Sequence, residues 1–336
     1  MDEAGRNFGD VTARELFVDP PRFWAGEVPH DGPLALIDLD AATGFSDPPL
    51  LPPCPVIGTG NPEHPFARWC DAVVEAPFSI DAIVRNVQEN PRTAAIVVQL
   101  LRFVPGLGPV AALDAESFAY GVLQAGAEHA RWLAAQPRRD PAAGGCVLLE
   151  RNGDHLVLTL DREAAGNAID REMRDALHDG LMLGAADKQI ARILLRAKGR
   201  SFSLGADLAE FGTTRDPVEA HAIRRLTLPA RAAALCADRI EAHVQGACVG
   251  AGLELAAWAG RFTAAPGAWF HLPELAMGVL PGAGGCVSLS RRIGRQRTAL
   301  LILSGKRLSA RQALSWGLVD AIVDDPPTDD GQADIV

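Results

Sequence analysis

The stretch RIEAHVQGACVGAGLELAAWAG (239–260) reads as a strand, a glycine turn and an apolar helix in direct succession. Gly246, Gly250 and Gly252 let the backbone bend tightly and leave room beside it for a ligand. The helix that follows aims its positive end, and the amide of Ala251, at whatever occupies that space. Glu254 falls in its first turn among Leu253, Leu255, Ala256 and Ala257, where a carboxylate is costly to bury without a purpose. The plainer alternative is an acid placed to suit the helix dipole.

Upstream, SFSLGADLAEF (201–211) makes a second turn of this kind. It follows IARILLRAKG (190–199), a buried strand, and Gly205 permits a tight bend before a short helix. The Ala206 amide is then free to point into a cleft. Downstream, FHLPELAMGVLPGAGG (270–285) carries Glu274 behind Pro273. Glu274 is a loop acid exposed to water, unless it shares a pocket with Glu254. Two facing amides stabilise negative charge as it develops on an oxygen. Two carboxyls in one pocket resist ionising together, so one keeps a proton while the other accepts one. That division suits a hydration, in which one group activates water and the other delivers a proton to carbon.

Further out, CVLLERNGDHLVLTLD (146–161) predicts a hairpin turning at Asn152-Gly153. IDREMRDALHDGLMLGAAD (169–187) is an amphipathic helix, so strands and helices alternate as in an α/β fold. Ser309 and Gln312 form a capping box that opens another helix. PRRDPAAGG (137–145) is a linker that divides the chain. Before it, residues 1–30 form a polar arm, and strands are expected in PLALIDLDA (33–41), PVIGTGN (55–61) and CDAVVEAP (70–77). Ser79 caps a helix bearing Ile83, Val84 and Val87, and Pro91 separates it from a second, buried helix ending at Phe103. VPGLGPV (104–110) is a turn, and 116–136 a third helix.

The 336 residues are 48% hydrophobic and 22% charged, the balance of a globular protein. A formal charge of -10 repels phosphate backbones and argues against a nucleic-acid partner. The six cysteines form no C-x-x-C pair and have no zinc-ligand spacing, so no metal site is expected and they read as buried residues of a reducing compartment. The N-terminus lacks the apolar core of a secretion signal, and no run is long enough to span a bilayer, so a cytoplasmic protein without membrane contact is expected.

Five motifs, taken in order, resemble the crotonase superfamily, also called the enoyl-CoA hydratase/isomerase family. They are LTLDREAAGNAID (158–170), SFSLGADLAEF (201–211), VQGACVGAGLELA (244–256), FHLPELAMGVLPGAGG (270–285) and LSGKRLSARQALSWGLVDAIV (303–323). The resemblance implies a crotonase-type spiral of ββα units over 146–325, preceded by an accessory α/β region, mainly helical, at 1–140. It implies an acyl-CoA substrate that brings its own coenzyme A, no separate cofactor, and a homotrimer or hexamer. By position, Ala206 and Ala251 would donate the two oxyanion amides, and Glu254 and Glu274 would act as acid and base. Leu204, Gly205, Asp207, Leu208, Gly250 and Gly282 would line the substrate site. Both glutamates together point to syn-hydration of a 2-enoyl-CoA. The other readings are a different fate of the same enolate (isomerisation, decarboxylation, thioester hydrolysis or cofactor-free oxygenation of an aryl-acetyl-CoA) and a non-catalytic partner built on the fold.

The sequence departs from the family pattern in three places. Ala251 replaces a glycine, which is tolerable because only its amide is needed. Gly260 stands where an aspartate is usual. The family's C-terminal helices, which cover the acyl pocket and often supply a lysine to coenzyme A, have no counterpart before Val336, where an acidic tail (326–336) is expected to be disordered. The N-terminal region is expected to supply the missing lid. His243 and His271 lie nearest the cleft but read as core or surface residues. Ser203 and Cys248 lack a partner for nucleophilic catalysis. Trp258, Trp269 and Phe270 read as core or acyl-pocket residues. Arg291, Arg292, Arg295 and Arg297 read as a solvated face or subunit contact.

Overall fold

The computed structural model describes residues 16–18, 32–42, 50–137 and 143–324. The polar arm (except 16–18), the middle of the linker and the acidic tail lie outside the described residues.

The hairpin β4 (Cys146–Asn152) and β5 (His155–Asp161) starts the main sheet. Asn152 pairs with His155, so the loop is Gly153-Asp154, one residue later than the sequence suggests, with Gly153 at φ 62°. β5 buries Leu156, Leu158 and Leu160 on one face, against α5 (Arg171–Ala186), which crosses over to β6 (Arg192–Ala197), the strand that adds to β5 in parallel. β7 (Ile240–Val244), β9 (Arg261–Ala264) and β12 (Ala321–Ile322) continue in parallel, giving the order β12-β9-β7-β6-β5-β4. A smaller sheet runs β11 (Leu308–Ser309), β10 (Trp269–His271), β8 (Ala247–Val249). β7 and β8 belong to different sheets, so the chain changes sheet at Gly246, directly before the opening stretch's second glycine turn. α6 (Pro217–Thr227) and α7 (Pro229–Cys236) precede β7, and α8 (Ala251–Ala256) follows β8.

The N-terminal part forms a parallel three-stranded sheet, β1 (Ala35–Asp38), β2 (Val56–Thr59) and β3 (Ala72–Val73). Four helices follow it: α1 (Ile80–Glu89), α2 (Pro91–Phe103), α3 (Pro109–Gln124) and α4 (Ala127–Ala135). The single helix expected over 116–136 is thus two, and the first begins inside the expected turn at 104–110. Pro109 suits a first helical position, and Gly126 interrupts the run, its amide turned back to Leu123 O at 2.8 Å. Ser79 occupies the cap position of α1 without a side-chain cap bond. The start of α2 is instead held by Glu128 of α4, which accepts from the amides of Arg92 (3.0 Å) and Thr93 (2.9 Å).

Helix α9 (Gly285–Ser304), broken at Gly294, joins the two parts. Ile83, Val97, Val98, Leu101 and Leu113 from the N-terminal part share one hydrophobic core with Leu289, Ile293, Leu300 and Leu303. Asn86 donates to the carbonyls of Leu303 (3.2 Å) and Ser304 (2.8 Å), satisfying the last turn of α9. Arg295 binds the carbonyls of Cys70 and Arg68, Arg297 pairs with Glu75, and Arg292 binds Asp320 and the carbonyls of Leu318 and Ala259. These three arginines therefore stitch the chain to itself rather than forming a solvated face. Among the described residues no helix is long and apolar enough to cross a membrane.

Candidate active site

The first glycine turn is fixed to the second by backbone bonds. Ser203 N donates to Ala247 O (3.0 Å) and Val249 N donates to Ser203 O (3.0 Å), so residues 203 and 248 pair in parallel. The Ser203 hydroxyl donates to Asn167 O (2.8 Å) and accepts from the Gly205 amide (3.1 Å), a structural task. Gly205 has φ 95°, its carbonyl accepts from Ile169 N (2.8 Å), and Asp207 N donates to Ile169 O (2.9 Å). The Ala206 amide between them donates to no acceptor among the described residues. No short helix follows Gly205: Asp207 accepts from Ala209 N (2.9 Å) and pairs with Arg162 (2.7 Å), which closes a turn instead.

In the second turn the Gly250 amide donates to His271 O (3.0 Å). Gly250 sits at φ 46°, ψ −126°. A Cβ there would lie 2.7 Å from Glu274 Oε1 and 3.7 Å from the Gly205 Cα, so the two turns and this carboxyl crowd one point. The Ala251 amide, like that of Ala206, has no acceptor among the described residues.

Both turns open on one cavity of about 290 Å³. Glu254 and Glu274 both line it, with Leu204, Gly205, Ala206, Asp207, Leu208, Gly250, Ala251 and Gly282. Glu254 is 2% exposed, and its Oε2 accepts from the amides of Ala283 (2.6 Å) and Gly285 (2.9 Å). Burial pushes its pKa up to about 7, with those two amides pulling the other way. Glu274 is 8% exposed, not the solvated loop acid of the plainer reading, and its Oε2 is buried with no partner among the described residues. Burial, then the charge of Glu254, holds its carboxyl well above the usual range. Glu254 is thus furnished with two amide donors from another segment, whereas Glu274 has only its own amide.

The N-terminal part supplies what the sequence reading missed. Tyr120 and Gln124 of α3 and His129 of α4 line the same cavity. The Tyr120 ring lies against Gly282, where a Cβ would meet it at 2.2 Å. His129 Nδ1 is 2.8 Å from Met277 O, which ties α4 to the turn that carries Glu274. Glu116 of α3, 1% exposed, accepts from the amides of Gly284 (2.8 Å) and Cys286 (2.9 Å). Glu116 and Glu254 therefore take alternate amides of one segment, 283 to 286. Burial, then the charge of Glu254, raises the Glu116 pKa well above its ordinary value. A signal existed: Glu116, Tyr120 and Gln124 recur at four-residue spacing, on one face of a helix rich in apolar residues.

The other candidates lie elsewhere. His243 Nδ1 is 3.0 Å from Thr263 Oγ1, and His271 Nε2 is 3.0 Å from Gly305 O. Cys248, Trp258 and Phe270 are buried in the core, and Trp269 stacks under Arg307. None of these six lines the cavity.

The chain belongs to the enoyl-CoA hydratase/isomerase family, whose sequence model matches residues 150–329, and it is an enzyme of that family. It is 35% identical over 176 residues to a 2,3-dehydroadipyl-CoA hydratase of Escherichia coli (strain K12), covering 52% of this chain and 68% of that protein. It is 34% identical to a mevalonyl-coenzyme A hydratase of Beauveria bassiana, covering 50% of this chain and 63% of that protein. Among solved structures it is similar to an enoyl-CoA hydratase from Thermoplasma volcanium, at 35% identity and a TM-score of 0.48 over 53% of this chain and 72% of that one. Residues before 150, including Glu116, Tyr120, Gln124 and His129, precede the family match.

Proposed function

We propose that the protein adds water, in the syn sense, across the double bond of a 2-enoyl-CoA, with no cofactor beyond the coenzyme A of its substrate. The thioester oxygen sits between the Ala206 and Ala251 amides, which stabilise it as the enolate develops. Glu254 takes a proton from a water molecule whose oxygen attacks the β-carbon. Glu274, holding its proton, delivers it to the α-carbon as the enolate collapses. The observation that carries this reading is the contrast between the two acids. Two amides favour the ionised form of Glu254, whereas Glu274 Oε2 has no donor and stays neutral. The hydratase names of the relatives at 34–35% identity support it. The N-terminal helices α3 and α4 serve as the wall over the acyl pocket.

The test is loss of the conjugated-thioester absorbance when purified protein meets 2-enoyl-CoA esters. Glu254→Gln and Glu274→Gln should each lower kcat by about 10²–10⁴-fold with little change in substrate affinity. Full activity in both variants would remove the acid–base assignment.

A further inference from the structure

The proposed hydration leaves several charged groups of the cavity unused, among them Arg171, Arg174, Glu210 and Arg224. Arg224, on α6, lines it beside Tyr120. Its Nε donates to Ser117 Oγ (2.8 Å) and its Nη2 to Ser117 O (3.1 Å), and its guanidinium carbon stands 4.7 Å from the centre of the Tyr120 ring. No carboxylate lies within 4 Å of it among the described residues, and its Nη1 has no acceptor there. The neighbouring arginines differ: Arg225 and Arg231 both grip Asp114. After Tyr120, the group whose charge influences Arg224 is Glu116, whose two oxygens are already taken by the amides of Gly284 and Cys286. A half-buried guanidinium without a counter-ion is costly, and three fixed contacts hold this one in place at a cavity wall.

The order of groups along the wall says which part of a substrate would reach it. Tyr120 packs on Gly282, next to the segment that holds Glu254, and feels the charges of both Glu254 and Glu274. Arg224 lies over the Tyr120 ring. A chain that places its reacting double bond at the two acids therefore runs past Tyr120 before it meets Arg224.

We propose that the acyl group of the substrate ends in a carboxylate, and that Arg224, held by Ser117 and the Tyr120 ring, binds it. The inference rests on the acyl-CoA reading of this cavity and names the substrate class within it: the coenzyme A monothioester of a short dicarboxylic acid. An uncharged acyl tail would leave the guanidinium desolvated and unpaired, whereas a carboxylate gains a charge-assisted, two-point contact.

The test compares two saturated thioesters that the enzyme does not turn over, by calorimetric titration of the full chain. One is a short ω-carboxyacyl-CoA and the other the uncharged straight-chain acyl-CoA of the same carbon number. The carboxylated ester should bind at least about tenfold more tightly, the scale of a hydrogen bond to a charged group. Arg224→Met should bring the ratio to within about twofold, and Arg224→Lys should fall between, since a lysine keeps the charge but not the two-point geometry. Equal affinity for the two esters in the wild type overturns the inference, and this arm decides even if Arg224→Met fails to fold. Equal weakening of both esters in Arg224→Met also overturns it, because Arg224 would then be binding phosphates of coenzyme A. Tighter binding of the carboxylated ester without hydration of its unsaturated counterpart leaves the inference standing and removes the hydratase reading instead.

Discussion

Replacing Glu116 tests whether the N-terminal part holds the active-site segment together. Glu116→Ala strips acceptors from two buried amides, Gly284 and Cys286, which the structure shows bonded at 2.8 and 2.9 Å. An orphaned buried donor costs about 1–3 kcal/mol, so the pair should cost about 2–6 kcal/mol. Glu116→Gln keeps one oxygen and turns an NH2 toward the other amide, so about half that loss is expected. The pH dependence has a definite sign. Burial, followed by the charge of Glu254, raises the folded-state pKa of Glu116 above the unfolded value of about 4.3. The folded form then holds a proton that the unfolded chain has released. The stability this group contributes is present in full below the unfolded value and is lost as pH rises through the folded one. Glutamine carries no such dependence, so the penalty of Glu116→Gln should be largest near pH 4–5 and shrink as pH rises. Urea denaturation of the three proteins at acidic, neutral and alkaline pH measures both effects. A Glu116→Ala loss below about 0.5 kcal/mol, or a glutamine penalty that grows with pH, refutes the reasoning.

The kcat profile should rise with pH on its acid side through about 7 as Glu254 ionises, and fall only at higher pH, where Glu274 gives up the proton it must donate. Initial rates across a constant-ionic-strength buffer series check this, and an acid limb near the ordinary carboxylate range would count against Glu254 as the base. Gly250→Ala places a Cβ 2.7 Å from Glu274 Oε1 at a backbone angle that alanine disfavours. It should cost about 1–3 kcal/mol of stability and at least about 100-fold in kcat, read by denaturation and turnover together. Wild-type kinetics in a folded Gly250→Ala protein would show that the two turns do not act at one point.

The glycine turns were legible because they are local. Gly205 and Gly250 adopt backbone angles that other residues resist, and each follows a strand that the apolar pattern already marks. The capping box at Ser309 and Gln312 forms as its spacing says. Glu254 stood out as an acid in an apolar helix, and it is buried. The failures were also physical. The arginines of α9 looked solvated because their partners, Cys70, Glu75 and Asp320, lie far off in sequence or in a different element. The short helix after Gly205 is absent because the Asp207 carboxylate closes a turn there, and a turn and a first helical coil share the same residue types.

The order of motifs, the family they define and the two turn geometries were determined by the sequence alone, since backbone angles and apolar spacing are set over a few neighbouring residues. Which side chains meet the cavity was decided by the tertiary structure. Glu116 reaches the amides of Gly284 and Cys286 across 168 and 170 residues of chain, and Ser117 reaches Arg224 across 107. Such pairings follow from how α3 packs against α6 and α9 once the shared core forms. Burial, which moves the carboxyl pKa values and leaves Arg224 without a counter-ion, is a property of that packing and not of any one segment.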